Sequence, residues 1–107
     1  MKTYPGTRTE DGCAVVVSDA GGDRPLDPRF DLRNHSPTGF EWGYGGSGPA
    51  QLALALAADV LGDDDAAQGV YQRLKFRVIG RLPEGGWTLT EPELVEVIRS
   101  LARQGGE

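Results

Sequence analysis

Apolar positions follow two rhythms along the chain: short β-branched runs before residue 33, and helical spacing after residue 48. Cys13-Ala14-Val15-Val16-Val17, bounded by Asp11-Gly12 and by Ser18 to Gly22, predicts a strand. Lys2 to Arg8 predicts its partner, and Pro5, which has no N–H to give to a ladder, places that partner at a sheet edge. Arg29 to Leu32 predicts a third short strand with Phe30 and Leu32 on one side. Asp19 to Asp23 is a turn by composition.

Three helices follow. The first has Ser47 as its N-cap, Pro49 in its first turn, the run Gln51 to Ala58, and Gly62 just past Val60-Leu61. Leu52, Leu54, Leu56, Val60 and Leu61 leave only Gln51 and Asp59 as a polar line, so this helix is central and buried. Asp63-Asp64-Asp65 opens the second, with negative charge at the positive end of the helix dipole. Val70, Tyr71, Leu74, Val78 and Leu82 form its stripe, and it runs to about Gly80. Phe76 and Ile79 lie off that stripe, and the commoner outcome is that a second layer covers them. Trp87 to Leu89 is a short strand, and Thr90-Glu91-Pro92-Glu93 is a capping box opening a third helix with Leu94, Val95, Ile98, Leu101 and Ala102 on one face.

Strands first and helices afterwards predict an α+β fold, a small antiparallel sheet of short N-terminal strands packed with about three helices. Residues 1–107 form one domain: a strand-rich part over 1–33, a Gly-rich loop over 34–48, a helical part over 49–103, and a frayed tail over 104–107.

Composition narrows the function classes. The chain has 107 residues, 38% hydrophobic and 25% charged, with a formal net charge of −5. That size supports a single core and excludes a large enzyme with a separate cofactor domain. No apolar run reaches membrane-spanning length, and the start lacks the apolar stretch of a signal peptide, which predicts a cytoplasmic protein. One cysteine, Cys13, forms no internal disulfide, and with one histidine, His35, it leaves no metal site. The acidic balance argues against binding of duplex nucleic acid, and no cofactor is expected.

The unusual segment runs from His35 to Gln51, where five glycines and both Trp42 and Tyr44 precede the most buried helix. A Gly-rich loop feeding a helix N-terminus gathers free N–H groups and the positive end of a dipole, a receptor for phosphate or carboxylate. The structural alternative is a loop folded on itself, with Glu41 on those donors and Trp42 and Tyr44 packed on the helix end. On the binding reading the site residues are His35, Trp42, Tyr44, Gly45, Gly46, Ser47, Gly48 and Gln51.

Known motifs fail by letter. Gly43 to Gly48 fits G-x-G-x-x-G, but no buried strand precedes it and no βαβ unit follows. Pro49 stands where a phosphate-cradling loop needs Lys, and it also breaks G-x-S-x-G at Ser47, which is a better cap than a nucleophile. A triad of Ser47, His35 and Asp27 or Asp31 has no support in spacing. Cys13 reads as strand packing, and Asp63 to Asp65 as a helix start.

Arg73, Arg77 and Arg81, with Lys75, form a basic ridge on the second helix, whose plain reading is a solvated flank paired with carboxylates. Arg24, Arg29 and Arg33 alternate with Asp23, Asp27 and Asp31 as an ion-pair surface. Convergence of these ridges on the glycine loop would let charge grip an oligonucleotide or nucleotide stacked on Trp42 or Tyr44.

The run from Asn34 to Leu56, His-Ser-Pro-Thr-Gly-Phe-Glu-Trp-Gly-Tyr-Gly-Gly-Ser-Gly-Pro-Ala-Gln at its centre, resembles the signature of a family of small uncharacterised prokaryotic and viral proteins, a domain of unknown function. The likeness extends to Lys2-Thr3-Tyr4, to Tyr71 to Ile79 and to Trp87 to Thr90. It implies a self-contained domain and, through the family's occurrence on plasmids and viruses, a role in host–virus conflict or gene control. It implies no reaction and no catalytic residue.

The leading expectation is a non-enzymatic binding protein whose glycine loop holds a small anionic, nucleotide-like ligand. The alternatives are an acidic protein-interaction module or inhibitor of a nucleic-acid enzyme using Phe76, and a small hydrolase using Ser47 and His35.

Overall fold

The computed structural model describes residues 1–105. The order of elements is β1 (Thr3–Thr9), β2 (Gly12–Asp19), β3 (Gly22–Pro25), α1 (Ser47–Leu61), α2 (Asp64–Arg77), a 3-10 turn (Ile79–Arg81), β4 (Gly86–Thr90) and α3 (Glu91–Gly105). The strands make one antiparallel sheet in the order β3-β2-β1-β4, packed with the three helices in an α+β fold.

Strand β1 is central and not at an edge, contrary to the expectation from Pro5, because β4 returns from the far end of the chain to pair with it from Thr3↔Thr90 to Thr7↔Gly86. That ladder is continuous, whereas toward β2 the pairing is interrupted at Tyr4 and Pro5. The missing N–H is thus accommodated by a local gap inside the sheet. The third strand is likewise not Arg29 to Leu32. Asp19 to Gly22 closes a tight hairpin, and β3 pairs Val16↔Pro25 through Asp19↔Gly22. Arg29 instead adopts φ 58 in a turn, its N–H donating to Asp27 Oδ1 at 2.9 Å.

Helix α1 is buried from Gly48 to Ala58, as its apolar girth requires, and it ends at Gly62 in the left-handed region (φ 63) with the Gly62 N–H on Ala58 O. Its N-cap is Gly46 with no side-chain cap, so Ser47 is the first helical residue and not the cap. Tyr4, Val15 and Val17 from the sheet, the α1 side chains, Leu74 of α2, and Leu94, Ile98 and Leu101 of α3 form one core.

Asp63 caps α2 by accepting from the Ala66 N–H at 3.0 Å. The helix stops at Arg77, three residues before the expected end, and tightens into the 3-10 turn. Gly80 sits where the glycine loop comes close: a Cβ there would lie 3.2 Å from Tyr44 O and 3.3 Å from Lys75 O, a tight fit that its absence relieves. The capping box of α3 forms as expected, Thr90 N–H to Glu93 Oε1 at 2.8 Å and Glu93 N–H to Thr90 Oγ1 at 3.3 Å. Helix α3 continues to Gly105, inside the segment expected to fray, and residues 106–107 of that segment lie outside the described residues. Among the described residues no helix is long and apolar enough to cross a membrane.

Candidate functional site

The glycine segment divides into an inner half that belongs to the core and an outer half that faces solvent. Trp42 is 1% exposed, donates its indole N–H to Glu84 O at 3.1 Å and meets Trp87 edge to face at 5.1 Å. Arg8 reaches across the sheet to lock it. Its guanidinium lies 5.1 Å from the Trp42 ring, pairs with Glu41 Oε1 at 3.0 Å and donates to Glu84 O at 2.7 Å. Glu41 therefore spends its carboxylate on Arg8, while its Cβ would be only 2.5 Å from a Cβ on Gly48. Gly48 is the glycine that lets the chain cross itself there.

Gln51 is wholly buried and saturated. Its Oε1 accepts from the N–H groups of His35 (2.7 Å) and Ser36 (3.2 Å), and its Nε2 donates to Pro28 O (2.6 Å) and Arg33 O (3.0 Å). One amide satisfies every bond its atoms offer and pins the 28–36 loop to α1. His35 places Nε2 2.7 Å from Tyr71 Oη, with ring centroids 5.6 Å apart. Ser47, His35, Asp27 and Asp31 make no hydrogen bond to one another among the described residues, so the drawn triad is not assembled.

The outer half is Tyr44, Gly45, Gly46 and Ser47. Tyr44 is 51% exposed, and its ring lies along Gly46, where an added Cβ would meet Tyr44 Cε2 at 2.6 Å. The N–H groups of Ser47 and Gly48 have no acceptor among the described residues. Pro49 has no N–H, and Ala50 N–H is already on Gly46 O. Gly43 N–H donates to Ile79 O at 3.0 Å, which fastens the loop to the end of α2.

That fastening brings one of the two basic ridges to the loop. Phe76 is 63% exposed, uncovered by any second layer, whereas Ile79 is buried. A Cβ on Gly45 would lie 3.4 Å from the Phe76 ring. Phe76 also lines a groove of about 280 Å³ with Arg73, Arg77, Arg81 and Leu101. Lys75 Nζ sits 4.3 Å from the centre of the Phe76 ring. The ridge is not the carboxylate-paired flank expected from its sequence: Arg73 donates to Gly69 O at 3.1 Å, and Arg73, Arg77 and Arg81 form no ion pair among the described residues.

The other ridge does not converge. Arg24 pairs with Asp59 at 3.0 Å, and Arg29 forks onto Asp31 (3.0 Å) and Asp64 (2.9 Å), so its guanidinium is held protonated more firmly than usual. Arg24, Arg29, Asp31 and Asp59 line a cavity of about 580 Å³ together with Asp27, so the two cations there already face three carboxylates. Burial would raise the Asp59 carboxyl, but hydrogen bonds from Tyr4 (2.7 Å) and Arg24 and the charge of Lys2 outweigh it and hold it below the ordinary carboxylate range. Tyr4 is shifted upward, first by burial and then by the same Asp59.

Of the sequence-derived site residues, the structure gathers Tyr44, Gly45, Gly46 and Ser47 on one exposed surface. Trp42, Gly48 and Gln51 are buried, and His35 is turned onto Tyr71. Sequence reasoning raised the Arg73, Arg77 and Arg81 ridge as one that could converge on the loop but counted neither it nor Phe76 among the site residues. Their signal was Phe76 lying off the apolar stripe between arginines one turn apart. No cluster of three or more His, Cys, Asp or Glu side chains suited to a metal occurs among the described residues.

Neither the curated proteins nor the solved structures hold a match to this chain. A family model does match, over residues 4–100, and it takes in β2, β3, β4, all of β1 but Thr3, the glycine loop and nearly all of the helical core. By that match the chain belongs to a family of unknown function, DUF6166.

Proposed function

We propose that this protein is a binding module for an anionic, nucleotide-like ligand, held where the outer glycine loop meets the end of α2. The carrying observation is the exposed Phe76 ring between Gly45 and the groove of Arg73, Arg77 and Arg81, three arginines without an ion pair among the described residues, in a chain of net charge −5. Guanidinium groups supply fork geometry for phosphate oxygens, and Phe76 and Tyr44 supply faces for a ring. The N–H group of Ser47 adds a donor at the positive end of α1.

Thermal unfolding with ATP tests it. At ten times Kd the expected stabilisation is about 1.4 kcal/mol, or about 6 °C for a domain of this size. The rise should vanish in Arg73→Ala/Arg77→Ala/Arg81→Ala and persist in Arg24→Ala. An equal rise in both variants contradicts the reading. The exposure of Phe76 also supports a second reading, an acidic protein-interaction module. That reading predicts a stable complex that forms equally well without the three arginines.

A further inference from the structure

The proposed ligand site has a shape that selects among phosphate ligands. We infer that its natural occupant is single-stranded nucleic acid, a deepening that rests on the anion-binding reading above. Pockets for a free nucleotide enclose most of their ligand. This groove is shallow and open, lined by one face of α2, the 3-10 turn and Leu101 of α3. A ligand held there gains affinity by extending along the surface.

The placement of charge and rings has the same character. Arg73 and Arg77 stand one helical turn apart, about 6 Å along the axis, and Arg81, from the 3-10 turn, lines the same groove. Phe76 lines that groove and touches Gly45, and the exposed Tyr44 ring lies along the neighbouring Gly46. Three cations lining one groove, with an exposed ring in it and another on the adjoining loop, match a strand whose phosphates meet the arginines and whose unpaired bases turn to aromatic faces. A duplex hides its base faces, which leaves Phe76 and Tyr44 nothing to stack on. An acidic protein segment would satisfy the arginines and leave both rings unused.

The test is fluorescence anisotropy with a fluorescein-labelled twelve-nucleotide oligo(dT), its duplex with oligo(dA), ATP as competitor, and a labelled polyglutamate peptide. The expected result is binding to the single strand at least tenfold tighter than to the duplex or the peptide. Phe76→Ala should weaken it about tenfold or more, the effect of removing one stacking face. Three phosphate contacts predict that affinity falls about twentyfold between 50 and 200 mM salt. Arg77→Ala should weaken binding and flatten that dependence, and both variants alter exposed side chains, so their melting temperatures should stay near wild type. Equal binding to duplex or peptide, or no effect of Phe76→Ala, overturns the inference. If ATP binds through the arginines and the oligonucleotide binds no tighter, single-strand selection fails while the anion-binding reading stands. If neither binds, both fall.

Discussion

Replacing Gln51 by Leu would keep volume and helix propensity while removing both polar ends of the side chain. In the wild type those ends hold four backbone groups, the N–H groups of His35 and Ser36 and the carbonyls of Pro28 and Arg33, at 2.6 to 3.2 Å around a wholly buried amide. A typical hydrogen bond contributes about 1 kcal/mol net, so four give about 4 kcal/mol, and stranded groups that stay buried add to the loss. A domain near 100 residues shifts by roughly 4 °C for each kcal/mol, so Gln51→Leu should melt about 16 °C lower. With total stability of about 5–15 kcal/mol, the variant should still fold. Urea unfolding gives the free energy, and amide exchange of His35 and Ser36 gives the local effect, which should exceed that at α3 amides. A loss below about 1 kcal/mol, or unchanged exchange at His35 and Ser36, would refute the clamp. Because Gln51 lies inside the protein, the folded variant should still bind ATP with wild-type affinity; loss of binding in the folded state would return Gln51 to the ligand site.

Other substitutions separate structure from binding. Gly46→Val drives a side chain into the Tyr44 ring, so the ATP-dependent rise in melting temperature should disappear; an undiminished rise removes the loop from the site. Ser47→Ala should change stability by less than about 0.5 kcal/mol, because Gly46 occupies the cap position and a true Ser cap would cost about 1 kcal/mol on removal. Gly6→Ala places a methyl 2.5 Å from the Trp87 ring in the sheet, and overpacking of this kind should cost about 1–3 kcal/mol in urea unfolding. Asp59 is held below the ordinary carboxylate range, so its contribution is complete above about pH 4, the unfolded value, and is lost as pH falls through the lower folded value. Asp59→Asn should therefore be less stable than wild type at pH 7, with the gap closing toward pH 2; a gap that stays constant would contradict the Asp59 cluster with Lys2, Tyr4 and Arg24.

Legibility in the sequence tracked the range of the interactions involved. The α1 girth, the acidic Asp63 to Asp65 helix start and the Thr90–Glu93 box are local, written within a few residues of where they act, and the structure realises each. Pro5 misled because a missing N–H excludes one hydrogen bond, not a strand position, and β4, some 80 residues away, covers the other side of β1. Arg29 to Leu32 carries strand-like side chains, but the Asp27 carboxylate captures the Arg29 N–H in a turn before any strand forms. In the glycine segment, residue types announced an unusual backbone without saying which rings face inward. Trp42 and Gln51 look as capable of touching a ligand as Tyr44 does. Only Arg8, Glu84 and the 28–36 loop, all distant in sequence, take them into the core. The same distance hid the meeting of Gly45 with Phe76, which turns an ordinary basic helix flank into the wall of a site.

Backbone amide shifts followed by two-dimensional NMR during titration with ATP test the central claim most directly. The account predicts that the largest, saturable changes fall on Tyr44 to Gly48 and on Arg73 to Arg81, with Asp27 to Asp31 unmoved. Saturable changes centred on the Arg24–Asp59 cavity, or no changes at millimolar ATP, would contradict it.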